Sequence, residues 1–293
     1  MHRHLTLARD GLVLEGLLNG PDDAPLVMLV HGFPDTPHSW DDVVPGLVGA
    51  GYRVFRPWLR GYTDGSARRD ARYDLVAVAD DLVAWREHFG VPAHLVGHDW
   101  GAVAAMTAVA SDADGWRSLS LLAIPPLQRL ERAGALLPVQ AWQSSYMLLL
   151  QSAAAPWLIR QRDCAYLRRL WRQWSPGWAY TEDDFAPVRR AFANADVAWA
   201  ATRYYRSLFT PQRAATRAFI ARIRRPLDTP TLALAGERDG CLHAGLLARI
   251  VDPALFPAGI RVTTLADCGH FLQAERPQAV TDEVLAHLRA NSA

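Results

Sequence analysis

The chain has 293 residues, half of them apolar and a fifth charged, with a net charge of +1; this balance excludes intrinsic disorder and gives no sign of a nucleic-acid binder. Its 31 residues of the Lys and Arg class are all arginine. Without lysine there is no phosphate-loop lysine, no Schiff base with a carbonyl and no kinase-type ATP contact, so several large enzyme classes drop out.

In chain order, Leu5 to Leu7 and Leu12 to Leu18 read as a hairpin about Arg9-Asp10-Gly11. Asp10 and Glu15 interrupt any apolar run long enough for a signal peptide, which points to a cytoplasmic protein. Leu26 to Val30, Tyr52 to Phe55, His94 to Val96 and Leu119 to Ile124 then read as buried strands, with helices near Trp40 to Gly49, Leu75 to Phe89 and Ala102 to Ala110. Strands alternating with helices predict an α/β fold around a mostly parallel sheet. After Pro125-Pro126 the periodicity is helical for about a hundred residues. This insertion carries six of the eleven tryptophans and, from Leu127 to Arg225, 16 arginines against six acids. Gly134 to Ile159 has no charge, but its prolines, glutamines and serines make it a poor membrane span; a buried helix lining an apolar cavity is predicted instead. Strands return at Thr231 to Ala235 and Ile260 to Leu265, and Pro277 to Arg289 closes the chain as a helix. The predicted domains are a core of residues 1–125 and 226–293 and an all-helical cap of residues 126–225.

Chemistry concentrates where predicted strands end. Gly97-His98-Asp99-Trp100-Gly101 runs from a strand into a small-residue helix, a sharp turn that would hold Asp99 in a strained backbone conformation at the top of the sheet. The loop His31-Gly32-Phe33-Pro34 follows an earlier strand and can aim the Phe33 N–H at the same point as the Trp100 N–H, making an oxyanion hole. Gly236-Glu237-Arg238-Asp239 supplies an acid, Asp239 ahead of Glu237, and Gly269-His270-Phe271 a histidine after the last strand. The order is nucleophile, acid, histidine. His31, His98 and Arg60 read as loop-holding residues. Cys164, Cys241 and Cys268 lack metal-ligand or disulfide-framework spacing and read as inert thiols in a reducing compartment. No metal or cofactor is implied.

This arrangement resembles the α/β-hydrolase fold with aspartate where its serine usually stands, and within that fold it is most similar to the epoxide hydrolases. His31-Gly32-Phe33-Pro34, Arg60-Gly61-Tyr62, the Asp99 turn and Gly269-His270-Phe271-Leu272-Gln273-Ala274-Glu275-Arg276-Pro277 carry the likeness, which spans nearly the whole chain. The resemblance implies two cap tyrosines that protonate the ring oxygen. Tyr146, followed at a distance by Gln151, and Tyr205, in Arg203-Tyr204-Tyr205-Arg206, match approximately; Tyr204 would point about 100° from Tyr205 on a helix, so only one faces the pocket. The implied substrate is a small, largely apolar epoxide held by Phe33, Pro34, Trp100, Trp142 and Phe271, with water as co-substrate. Neither nucleic acid nor membrane is implied as a partner, and a homodimer is left open. The chain departs from the family pattern at Trp58-Leu59, at Thr63-Asp64-Gly65-Ser66 and at Leu150, which bears on substrate identity more than on mechanism.

Two other readings use the same residues. A hydrolytic dehalogenase would keep the aspartate and histidine but hold a halide with indole N–H groups, Trp100 and a cap tryptophan. A non-catalytic receptor would keep the pocket alone, and the joint presence of Asp99, Asp239 and His270 argues against it.

Overall fold

The computed structural model describes residues 2–208, 210 and 212–292. β1 (Arg3–Arg9) and β2 (Leu12–Asn19) form the predicted hairpin, turning at Asp10 and Gly11, both with positive φ, as a two-residue Asp-Gly turn requires. β3 (Leu26–Val30) follows, then α1 (Val44–Gly49), β4 (Arg53–Pro57), α2 (Leu75–Phe89), β5 (Ala93–His98), α3 (Trp100–Val109) and β6 (Trp116–Leu122). The helix predicted near Trp40 to Gly49 is two pieces: a 3-10 turn over Pro37–Trp40 and the short α1, which has Pro45 in its first turn. Proline lacks the N–H that a continuous helix would need at that point.

Between β6 and the next strand the elements among the described residues are all helical: a 3-10 stretch over Leu127–Leu136, then α4 (Leu137–Gln143), α5 (Tyr146–Leu150), α6 (Ala155–Leu158), α7 (Gln161–Trp174), α8 (Glu182–Ala193), α9 (Ala195–Leu208) and α10 (Ala214–Ile223). β7 (Thr231–Gly236), α11 (Gly245–Ile250), β8 (Ile260–Leu265), α12 (Leu272–Glu275) and α13 (Pro277–Ala290) complete the chain. No helix among the described residues is long and apolar enough to cross a membrane.

The eight strands form one sheet in the order β1-β2-β4-β3-β5-β6-β7-β8, parallel from β4 to β8, with β2 antiparallel to both neighbours. Both faces of its centre are covered. Met28 and Val30 point into one buried cluster with Leu95, Leu119 and residues of α2 and α3, while Val27 and Leu29 point into the other with Val96, Leu232, Leu234 and residues of α13. A strand buried on both faces reads as a continuous apolar run, which is why Leu26 to Val30 was legible without alternation.

Chain order reverses at β3: the chain leaves it toward β4 on one side and returns to β5 on the other. Loops at such a switch point part at the carboxyl ends of the strands and leave a crevice. Here the crevice lies between the loop after β3, carrying His31 to Pro34, and the turn after β5, carrying Asp99. The turn is tight because side chains are missing on both sides of it. A Cβ at Gly97 would collide with the Gly101 carbonyl, and a Cβ at Gly101 with the carbonyl oxygens of Val30 and His31. Gly101→Ala is therefore expected to destabilise the protein by about 1–3 kcal/mol, because backbone rather than a mobile side chain would have to move; a denaturant midpoint unchanged from wild type would contradict this packing.

Candidate active site

Asp99 sits between β5 and α3 at φ 50° and ψ −121°, a conformation an L-residue holds only when its surroundings impose it. The constraint comes from close packing, including an Asp99 N–H donated to the Leu122 carbonyl at 3.2 Å. Its carboxylate is nearly buried and is gripped from both sides. The Phe33 N–H donates to Oδ1 at 2.7 Å, and His270 Nε2 lies 3.6 Å from Oδ2. Gly32 has no side chain for a related reason, since a Cβ there would collide with the Asp99 side chain. Trp100 is the first residue of α3, so its N–H belongs to the turn whose donors have no intrahelical acceptor.

His270 reaches this point from the loop after β8 and is fully buried. Its Nδ1 pairs with Asp239 Oδ2 at 2.9 Å, and its own N–H donates to the Trp174 carbonyl. The other Asp239 oxygen accepts from the N–H groups of Cys241 at 2.7 Å and Leu242 at 2.9 Å, which fixes the carboxylate plane. Glu237, the rival acid, faces away and accepts from the Asp267 N–H at the surface. Burial alone would push the imidazole below its ordinary value; Asp239, then Asp99, outweigh it and hold His270 up at about 10.

The loop-holding residues do what their sequence context predicted. Leu59 N–H donates to His31 Nε2, so His31 Nδ1–H donates to the Gly32 carbonyl, and burial pushes this neutral ring down to about 3. His98, lowered to about 3 first by burial and then by the His270 charge, donates from Nε2 to the His270 carbonyl. Arg60 is locked on Asp81 by two hydrogen bonds of 2.7 and 2.6 Å.

The inserted helices close the crevice. The Trp171 indole donates to the Pro34 carbonyl at 2.9 Å, and the Tyr204 hydroxyl to the Arg60 carbonyl at 2.6 Å. Tyr204 is thereby turned away, and its neighbour Tyr205 packs edge-on against Trp100, Phe33 and Tyr146, with ring centroids 5.0, 5.4 and 5.9 Å away. The Tyr205 hydroxyl and the Trp100 indole N–H are both buried without a partner of hydrogen-bonding geometry. Tyr146 sets its hydroxyl 3.5 Å from Cys241 Sγ. Burial, and after it the Asp99 charge for Tyr205 and the Cys241 thiol for Tyr146, pushes both phenols well above their ordinary value, so both keep their protons at neutral pH. Burial also raises the Cys241 thiol, which stays protonated.

A cavity of about 310 Å³ reaches Asp99; Trp100, Val103, Tyr146, Met147, Phe219 and Ile223 help to line it, and its walls are mainly apolar. Of the five side chains predicted against a substrate, Trp100 alone lines this cavity. Phe33, Pro34 and Phe271 are not among its lining residues: Phe33 packs against Tyr205 and Phe192, Pro34 engages Trp171, and Phe271 is stacked among Trp171, Trp174 and Trp178. Trp142 requires correction: it is 77% exposed on the outside of α4, because Gln140 is the residue of that short helix turned inward. A larger cleft, about 620 Å³ and lined by Arg72, Trp199, Arg203 and Arg206, contains none of the residues above.

Two residues without a sequence signal of their own belong to the site's support. Asp35, directly after Pro34, is fully buried, accepts from the Thr36 N–H and the Gln273 amide, and is pushed up to about 7 by burial. Gln140 bridges α4 to the loop beyond Asp239: its amide donates to the Cys241 carbonyl and accepts from the His243 N–H.

Residues 25–277 match the family profile described as the alpha/beta hydrolase fold. The chain belongs to that family. It is 38% identical to Epoxide hydrolase A of Mycobacterium tuberculosis (strain ATCC 25618 / H37Rv) over 140 residues, 47% of this hydrolase and 42% of that relative, so the match spans less than half of the relative's length. It is 28% identical to the AB hydrolase superfamily protein YfhM of Bacillus subtilis (strain 168) over 68% of this chain and 71% of that one. A solved structure from Klebsiella pneumoniae subsp. pneumoniae MGH 78578 superposes with a TM-score of 0.86 at 25% identity, covering 98% of this chain and 97% of that one.

The buried charges give this protein a pH signature. His270, raised to about 10, contributes stability that is complete below its unfolded value near 6.5 and is lost as pH rises through about 10. The thermal midpoint should fall between pH 7 and 10, and Asp99→Asn should move the His270 titration downward in an NMR experiment. An imidazole titrating at its ordinary value in both proteins would refute the two-carboxylate clamp.

Proposed function

We propose that the hydrolase opens an epoxide to a vicinal diol through an ester on Asp99. What carries this reading is the conjunction of a buried carboxylate held by an N–H and an imidazole with two protonated tyrosines packed on each other, Tyr146 on the wall of the apolar cavity that reaches Asp99 and Tyr205 behind it against Trp100. The name of the mycobacterial relative supports it. A carboxylate is unsuited to acyl transfer, since attack on an ester would give an anhydride, but it can displace a leaving group at saturated carbon.

The resting site holds Asp99 ionised, His270 protonated and both tyrosines neutral. An Asp99 oxygen attacks a ring carbon, the ring C–O bond breaks, and Tyr205 or Tyr146 gives its proton to the departing oxygen. An alkoxide is too basic to leave unassisted, and this transfer supplies the missing acid. Ester formation cancels the Asp99 charge, and with it one of the two charges holding the proton on His270. His270 then passes that proton to the tyrosinate and becomes a neutral base oriented by Asp239. It takes a proton from water as the hydroxide adds to the Asp99 carbonyl carbon, with the N–H groups of Phe33 and Trp100 facing the developing oxyanion. Collapse breaks the bond to the alkyl oxygen, the new carboxylic acid protonates that oxygen, and the diol leaves. Asp99 is again ionised, His270 protonated and the tyrosine neutral, so the cycle closes without a proton from solution.

The dehalogenase reading draws on the unpartnered Trp100 indole. Trp171 is engaged with Pro34, and Trp142 and Trp157 are on the outer surface, but Trp174 packs against His270 and Tyr146 with ring centroids 5.1 and 4.8 Å away, so a second indole stands beside the site. The tyrosine pair, which can supply the proton that an epoxide needs and a halide does not, favours the epoxide.

Asp99→Asn should abolish turnover of epoxides. His270→Gln should stop after the first half-reaction, with intact mass increased by one substrate; a His270→Gln protein that turns over normally and carries no adduct would overturn the scheme. Tyr205→Phe should lower kcat about a hundredfold or more, as expected when a general acid is removed, and diol formation on a panel of aromatic and aliphatic epoxides reads the effect directly.

A further inference from the structure

The run from Gly134 to Ile159 carries no charge, and the chemistry uses little of it beyond Tyr146. The sequence predicts a buried helix lining an apolar cavity; Gln140, Ser144, Tyr146 and Met147 do line the cavity, but much of the run is on the surface. Among the described residues ten large hydrophobics are exposed, and seven of them fall between Leu130 and Trp157. Trp142 is 77% exposed, Leu148 69% and Trp157 61%. Single exposed leucines are ordinary, but seven exposed apolar side chains on three consecutive short helices and the turn before them give this segment an apolar outer surface that water does not favour.

Two further features say what covers it. The face is flanked by arginines, Arg129 and Arg132 before it and Arg160 and Arg162 after it. The first two share Asp252, and Arg129 also pairs with Glu131, so that end is neutralised; Arg160 donates to the Ala193 carbonyl, and neither it nor Arg162 has a carboxylate within 4.0 Å among the described residues. The inserted segment has ten more arginines than acids. In addition, the face adjoins the active site: Leu130 is exposed on it and also lines the cavity that reaches Asp99, as does Met147 of α5.

We propose that this face docks on an anionic phospholipid bilayer and that an apolar substrate passes from the bilayer into the cavity beside Leu130. Tryptophan and leucine side chains backed by arginine fit the apolar and anionic layers of a membrane surface. A second copy of the chain fits less well, because pairing through this face would bring two arginine-rich segments together. The substrate route rests on the epoxide reading; the docking does not, and sedimentation with vesicles tests it without any turnover.

The full chain is sedimented with vesicles of phosphatidylcholine alone and of phosphatidylcholine with phosphatidylglycerol. Binding to the anionic vesicles is expected to be about tenfold tighter or more, to weaken with salt, and to blue-shift tryptophan emission. Leu148→Ser with Trp157→Ser should reduce binding about tenfold, and so should Arg160→Gln with Arg162→Gln, while far-UV circular dichroism, unfolding midpoint and turnover of a small water-soluble epoxide stay at wild-type levels. Absence of binding to either vesicle, or equal binding by the Leu148/Trp157 variant, would overturn the proposal. So would a dimer in sedimentation velocity that this variant dissociates, which would give the face to a second copy. Vesicle binding without epoxide turnover would instead defeat the functional reading and leave the docking intact.

Discussion

An imidazolium buried between two carboxylates is the interaction on which the rest of the site depends. Removing three ionisable groups from water is costly, and the mutual attraction of His270 with Asp239 and Asp99 offsets that cost only where the remaining lone pairs are satisfied. Here they are met by backbone: Phe33 on one side, Cys241 and Leu242 on the other. Backbone donors cannot swing away as side chains can, so the charges are held by the fold itself. This ties the site to the loops after β3, β5, β7 and β8, all at one end of one sheet.

The same interaction links ground state to chemistry. A histidine held protonated by two anions is a poor base, and it becomes a good one when one anion is converted to a neutral ester. In the proposed cycle the reaction would thus tune its own catalyst, arming the histidine at the step that needs it.

How much of this could be read from the chain alone follows from the range of each interaction. The strands, the Asp10-Gly11 hairpin and the position of Asp99 in a sharp turn were legible because they depend on local pattern. Asp239 was separable from Glu237 only by its place in the turn, and the backbone donors that orient it were invisible. Trp142 was misread because tryptophan density says how much apolar surface a segment carries and nothing about which way it faces. The uncharged run misled for the same reason. The helix expected from Trp40 divides at a proline whose effect depends on the turn before it. Asp35 and Gln140 carry no motif of their own; their partners lie up to 238 and 103 residues away, at Gln273 and His243.

Gln140 also constrains how the site can be entered. It belongs to the inserted helices yet bonds to the strand-end loop that orients Asp239, so swinging α4 outward would strip two hydrogen bonds from the scaffold of the base, about 1 kcal/mol each. Hinged opening at that helix would therefore loosen the loop that orients the base. Entry and base geometry are thereby coupled through one amide side chain, so whatever widens the cavity on the α4 side also slackens the anchor of Asp239.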